Sequence, residues 1–335
     1  MRDYDKVFHT VAVNDVVLFG SNVEDALICL DAANGKERWR VTVNGAVRVA
    51  PTIWNGKAFF GADDGQVYCV DVSSGRLLWK ISPAPPHKAV LSDGKLVSLW
   101  PCRTGVLVQD GLAYFGLSLF PWNPSFLCAV KADDGTFKGS ECFKQELHGV
   151  TLEGPFAATR NRLYAPQGRV PPLMFDLKTG KQLGTLSHGG GVFVLITPDK
   201  HVVHGPGNKK GWVVETDLQK PPKAKDRFAV YTGAVRMVVG RNAAFVLTPA
   251  KLFALDRRTR KTLWSVRCSN AHELIQAGNT LFVGGAKFVS AFDTATGKEL
   301  WSEKVEGDAR GLTVAGGTLY VSTTEGVIYA FRGTK

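Results

Sequence analysis

Arg48, Arg103, Arg236, His272 and Arg310, with Glu153, are the residues of this 335-residue chain whose types and spacing best suit chemistry. Val47-Arg48-Val-Ala-Pro aligns with Cys102-Arg103-Thr-Gly-Val, and the other four fall within about one position of the same place in recurring segments. Were those segments arranged about an axis, guanidinium groups and an imidazole would converge on one mouth with a single carboxylate. Arginine captures carboxylate, sulfate or phosphate through two parallel hydrogen bonds, so an anionic ligand or the acidic side of a partner would fit. The same arginines also suit a structural task, pairing with turn carboxylates and backbone carbonyls to hold neighbouring units together. The residues alone leave both readings open. Trp100 and Trp122 form a second group, placed by the insertion 82–101 and by Phe120-Pro121-Trp122-Asn-Pro124 near Arg103 at the rim. Indoles beside arginine suit stacking on sugars or docking of proteins; packing of the insertion on its own unit is the competing account.

Other chemistries are missing their signatures. The chain has no Cys-x-x-Cys-His, Gly-x-Ser-x-Gly, phosphate-binding loop or His-Glu-x-x-His. His201 and His204 stand three apart in a strand, which puts them on opposite faces and spoils them as ligands of one metal; one is expected to face solvent and one to pack. Asp63-Asp64 and Asp133-Asp134 each precede glycine, where bonding to turn amides accounts for them better than calcium. Cys29 and Cys69 read as small buried side chains, Cys102 and Cys268 as unpaired. Cys128 and Cys142 flank one hairpin turn, and a disulfide across it is left open.

The elements that must position these residues are set by a repeat. Leu30-Asp-Ala-Ala-Asn-Gly-Lys-Glu-Arg-Trp39 returns as Val70 to Trp79, Leu255 to Trp264 and Phe292 to Trp301. An apolar strand runs into Asp, a polar turn usually closes on Gly, and a second strand carries Trp, which is a hairpin pattern. A second hairpin lies upstream of each, with turns such as Asn55-Gly56, Asp110-Gly111 and Gly316-Gly317. Four antiparallel strands per unit follow. The Asp position recurs at Asp31, Asp71, Asp176, Asp256 and Asp293, with Lys131, Glu215 and Arg332 as degenerate equivalents, at a period near that of propeller blades. Such sheets hide both faces only by packing on neighbours, and ring closure removes the exposed ends. The fold class is therefore all-β: residues 1–335 form a single eight-bladed β-propeller of four-stranded antiparallel blades. Seven blades is the alternative, since Gly139, Gly184 and Lys223 stand where Trp is expected.

The Ala/Val-Leu-Asp-x-x-x-Gly-Lys-x-x-Trp pattern resembles the repeat of pyrroloquinoline-quinone-type propellers. That family includes quinoprotein alcohol dehydrogenases and a bacterial outer-membrane assembly-factor lipoprotein. The resemblance spans nearly the whole chain and is specific for fold and weak for function. Its quinone-dependent dehydrogenases carry a vicinal disulfide from adjacent cysteines, and no two of these six cysteines are adjacent. The expectation is a non-catalytic scaffold without cofactor or metal, binding a partner protein or an anionic carbohydrate through its loop face. A polysaccharide lyase or an oxidoreductase using the mouth Arg and His272 is the alternative.

The net charge of +11 suits an anionic partner, but the basic residues are scattered, without the dense run that nucleic acid would call for. No run of about 18 apolar residues suggests a membrane span. A monomer in the periplasm or outside a bacterial cell is expected, anchored to a membrane if a removed leader carried a lipid. Residues 2–6 are the candidate for the strand that closes the last blade.

Overall fold

The computed structural model describes residues 7–86, 88–92, 94–206, 212–217 and 227–333. All regular elements among them are β-strands joined as antiparallel meanders. Four-stranded sheets occupy residues 10–42, 52–81, 107–147, 157–185, 193–232 and 236–267, and a five-stranded sheet occupies 271–332. The first strands of the second and third, fourth and fifth, and sixth and seventh sheets touch, the other neighbours share hydrophobic cores, and Thr10–Val13 touches the second half of Glu299–Ala315, so the sheets close into a ring.

The architecture is a β-propeller with seven blades by sheet count, the alternative of the two numbers. The difference from eight lies in the last sheet. Its strand Glu299–Ala315 runs unbroken for 17 residues, pairing first with Phe288 to Phe292 and then with Thr318–Thr323. The chain passes from the seventh repeat unit to the eighth in extended conformation, so the ladders of both units share the strand Glu299–Ala315.

Each blade feeds two cores because successive side chains of a strand point to opposite faces. Phe59 packs with Cys69, Phe115 and Cys128 toward the third blade, whereas the adjacent Phe60 packs with Leu18, Leu27 and Cys29 toward the first. Cys29 and Cys69 are fully buried as expected, and all six cysteines are free thiols, Cys128 and Cys142 included.

The repeat residues carry out the joining. Asp31 Oδ1 accepts from the amides of Ala33 and Asn34, and Asp71, Asp176 and Asp293 do the same in their turns. The Trp of one blade donates Nε1–H to the carbonyl just after the repeat Asp position of the next: Trp39 to Val72 at 3.0 Å, Trp79 to Ala132 at 3.1 Å, Trp264 to Thr294 at 3.0 Å. In the third blade Phe143, not the residue at Gly139, fills this place and lies against Gly180. At the ring closure Arg332 Nη2 reaches the equivalent carbonyl, Ala32 O, at 2.6 Å.

One register and one burial differ from expectation. The third strand of the fifth blade ends at Asp217, which pairs with His201 as Asp31 pairs with Val16, so Asp217 and not Glu215 holds the repeat position. His201 and His204 do lie on opposite faces, but both are buried. Lys223 and residues 1–6 lie outside the described residues.

Candidate functional site at the tunnel mouth

In a four-stranded meander, the links between second and third strands and the links between blades emerge on one face. Arg48, Arg103, Glu153, Arg236 and His272 stand on links between blades or at the first residues beyond them, and Arg310 lies in Glu299–Ala315 where the chain passes from the seventh repeat unit to the eighth, hence on that face.

Their partners decide what they can do. Asp63, 1% exposed, lies between two arginines: Arg48 Nε donates to Oδ2 at 2.8 Å, while Arg103 Nε and Nη2 reach Oδ1 and Oδ2, both at 2.8 Å. Asp63 comes from the second blade and Arg103 enters the third, so the bidentate pair crosses a seam between blades. Further round the ring Arg236 Nε meets Glu273 Oε2 at 2.9 Å, again from one blade to the next. Asp308 Oδ2 receives Arg310 Nη2 at 3.2 Å and faces His272 Nε2 at 3.4 Å. Glu153 is tied into the collar through its backbone: its amide donates to Pro166 O, and the amide of Gly154 donates to Arg103 O at 3.1 Å.

The mouth is thus a collar of ion pairs, of which Arg103 with Asp63 and Arg236 with Glu273 cross between blades. Glu153 is not its single carboxylate, because Asp63, Glu273 and Asp308 supply the counter-charges. Asp63 was legible only as a turn residue. Its neighbour Asp64 keeps that role, accepting from the Gln66 amide at 2.9 Å and from Tyr68 Oη at 2.5 Å. Among the described residues no group of three or more His, Cys, Asp or Glu is arranged to hold a metal ion. With separated cysteines and the mouth arginines bound to carboxylates, these residues do not fit a quinone with its cation.

Trp100 and Trp122 part company. Trp100 is 4% exposed, donates Nε1–H to Pro124 O at 2.7 Å and tilts against Phe126, so it is core and not rim. The insertion's side chain turns inward because the third-blade loop offers both an apolar bed and a carbonyl for the indole N–H. Trp122 on that same loop is 75% exposed and stacks in parallel on Phe120, ring centroids 4.7 Å apart. Other large apolar side chains left in solvent on this face are Val23, Leu91, Leu96, Val170 and Val192.

A buried charge cluster between the fifth and sixth blades was not anticipated. Glu215, fully buried, accepts from His201 Nδ1 and Tyr231 Oη at 2.8 Å, Arg257 Nη2 at 2.9 Å and Arg260 Nη1 at 3.2 Å. Arg257 also binds Asp199 at 2.7 Å. Burial by itself would raise the Glu215 carboxyl, yet Tyr231, His201 and Arg257 hold it below the usual carboxylate range. A signal existed: Arg260 occupies the turn-glycine position at φ 64°, where Gly35 and Gly75 sit in other blades.

Comparison with known proteins agrees with the fold. The family described as "Outer membrane protein assembly factor BamB" matches residues 5–139 and 249–335. Quinohemoprotein alcohol dehydrogenase ADH IIB of Pseudomonas putida is 23% identical over 327 residues, covering 89% of this chain but 42% of that protein, so the chain spans less than half of that relative. BamB from Moraxella catarrhalis superposes with a TM-score of 0.70 at 13% identity, covering 99% of this chain and 97% of the other. The computationally designed Ika8 protein gives 0.73 at 13% identity, covering 97% and 96%. At these identities the structural likeness shows the fold.

Proposed function

The chain belongs to the outer membrane protein assembly factor BamB family, and from that premise we propose that it is a non-catalytic binding propeller that docks a partner protein on its loop face, in the bacterial cell envelope. The observation that carries the reading is the contrast on that face between committed charges and uncommitted apolar surface. Arg48, Arg103, Arg236 and Arg310 already hold carboxylates. Trp122 on its Phe120 support, by comparison, projects into solvent where large desolvated aromatics are the usual anchors of protein interfaces. An anionic saccharide would have to displace Asp63 from its arginines, which leaves a buried charge unpaired and is costly. The mouth arginines are therefore architectural in this reading, and the loops around them recognise the partner.

The test is site-specific photo-crosslinking in cells that express the full-length gene product. A photoreactive phenylalanine analogue at position 122 is expected to give a discrete protein adduct, and the same analogue at Leu77, exposed on an outer strand, is not. No adduct at 122, together with turnover of a uronate polymer or of an alcohol by the purified protein, would overturn the reading.

A further inference from the structure

Residues 82–101 insert between the second and third blades, and within them Ala89–Ser92 and Lys95–Ser98 form a separate two-stranded antiparallel ribbon. Its register pairs Leu91 with Leu96 on one face and Val90 with Val97 on the other. Val97 is buried against the propeller, so that face is accounted for. Leu91 and Leu96 are 76% and 69% exposed. A ribbon apolar on both faces with one of them in water is a poor solution for an isolated monomer.

The ribbon is held at both ends. Lys95 Nζ bridges to the loop of the first blade, donating to Asn22 O, Val23 O and Asp25 Oδ1 at 3.1, 3.0 and 2.6 Å. At its base the Leu99 amide donates to Lys88 O, and the Ser98 amide donates to Asp63 O at 2.8 Å, on the residue that pairs Arg48 with Arg103. Lys95–Ser98 is thus tied to the propeller at both ends. Among the described residues no ladder covers the outer edge of Ala89–Ser92. Natural sheets shield such edges with charge, proline or a bulge, and this one shows Ala, Val, Leu and Ser.

Resting on the partner-protein reading, we infer that the ribbon is a strand-addition site: an extended segment of the partner pairs with the outer edge of Ala89–Ser92 and continues the Leu91/Leu96 face with apolar side chains at alternate positions, packed beside Leu91. Unpaired amides and carbonyls in a row are complemented by backbone, which a sugar or lipid does not offer. Charge sets the flank. Lys88 is exposed at the open end of the strand, and Asp25 is neutralised by Lys95, so the segment carries an acidic residue opposite Lys88.

The probe is a synthetic ten-residue peptide alternating valine and threonine and ending in two glutamates, tested on the whole protein by fluorescence titration and amide hydrogen exchange. Binding is expected with slowed exchange at residues 89–92. Methylating two alternate peptide amides should weaken it at least tenfold, and so should combining Leu91→Asp with Leu96→Asp. Those exposed positions leave the near-ultraviolet circular dichroism unchanged. Lys88→Glu should weaken binding severalfold, and a peptide ending in two lysines should reverse that preference. Equal affinity for the methylated peptide, protection elsewhere, or self-association of the protein that itself protects 89–92 would overturn the inference. An adduct at position 122 that survives Leu91→Asp with Leu96→Asp, alongside no protection at 89–92, removes the ribbon site and leaves the partner-protein function standing.

Discussion

Trp39 of the first blade lies against Gly75 of the second: a Cβ built on that glycine would come within 2.7 Å of the indole ring, while the indole N–H reaches Val72 O at 3.0 Å. The same pairing recurs between Trp79 and Gly135 and between Trp264 and Gly297. Each turn glycine therefore serves twice, by its positive φ and by its missing side chain.

The two roles separate by substitution. Gly56 has φ 71°, as Gly75 does, but nothing lies within 4 Å of its added Cβ. Gly56→Ala is expected to cost about 1–2 kcal/mol, the strain of a left-handed residue. Gly75→Ala should cost about 1–3 kcal/mol more through overpacking on Trp39. Urea denaturation of both variants measures the difference, and equal losses would mean that the indole contact contributes nothing.

Glu215 replaces this aromatic joint by ions. Glu215→Gln leaves Arg257 and Arg260 facing a neutral group in a buried seam, and a loss of about 3–5 kcal/mol is expected. Asp133→Asn, which removes the carboxylate from an exposed pair with Lys57, should change stability by no more than about 1 kcal/mol. Thermal unfolding of the two variants side by side provides the check.

His204 gives a pH signature. Its ring is buried, Nδ1 lies 2.8 Å from Gly190 O, and burial pushes its pKa down from 6.5 to about 4. Below the unfolded value the unfolded chain takes up a proton that the folded ring refuses. Stability from this group is thus complete above pH 6.5 and falls as pH drops toward 4, by about 3 kcal/mol in all. Glu215, held below the usual carboxylate range, loses its contribution only at more acid pH. His204→Gln should flatten the slope between pH 6.5 and 4.5 measured by urea denaturation at stepped pH.

The sequence made the blade legible because its determinants are local: Asp caps its own turn, glycine supplies positive φ, and alternating apolar residues fill two cores. It made the face of Arg48, Arg103, Arg236, His272 and Arg310 legible through repeat alignment as well. What it hid were partners brought by the neighbouring blade. Asp63 looks like any turn aspartate until the ring places Arg103 beside it, and Trp100 looks like a rim aromatic until Pro124 offers its carbonyl. The blade count depended on whether the chain between the last units stays extended from Glu299 to Ala315, which no residue there announces.

Substitutions on the loop face should separate binding from folding. Trp122→Ala, at a site 75% exposed, is expected to shift stability by less than about 0.5 kcal/mol and to weaken the partner at least tenfold. Asp63→Asn should do the reverse, lowering stability by about 3 kcal/mol with little effect on affinity once folded. Differential scanning calorimetry and titration against the protein captured at position 122 would read both.

The account turns on the mouth arginines being held by the protein's own carboxylates and not a trap for anions. Isothermal titration calorimetry of the intact protein with a galacturonate trisaccharide at low salt addresses this directly. No saturable heat at millimolar sugar is the expected result; stoichiometric binding that disappears when Arg48 and Arg103 are both changed to Gln, in a protein that remains folded, would contradict it.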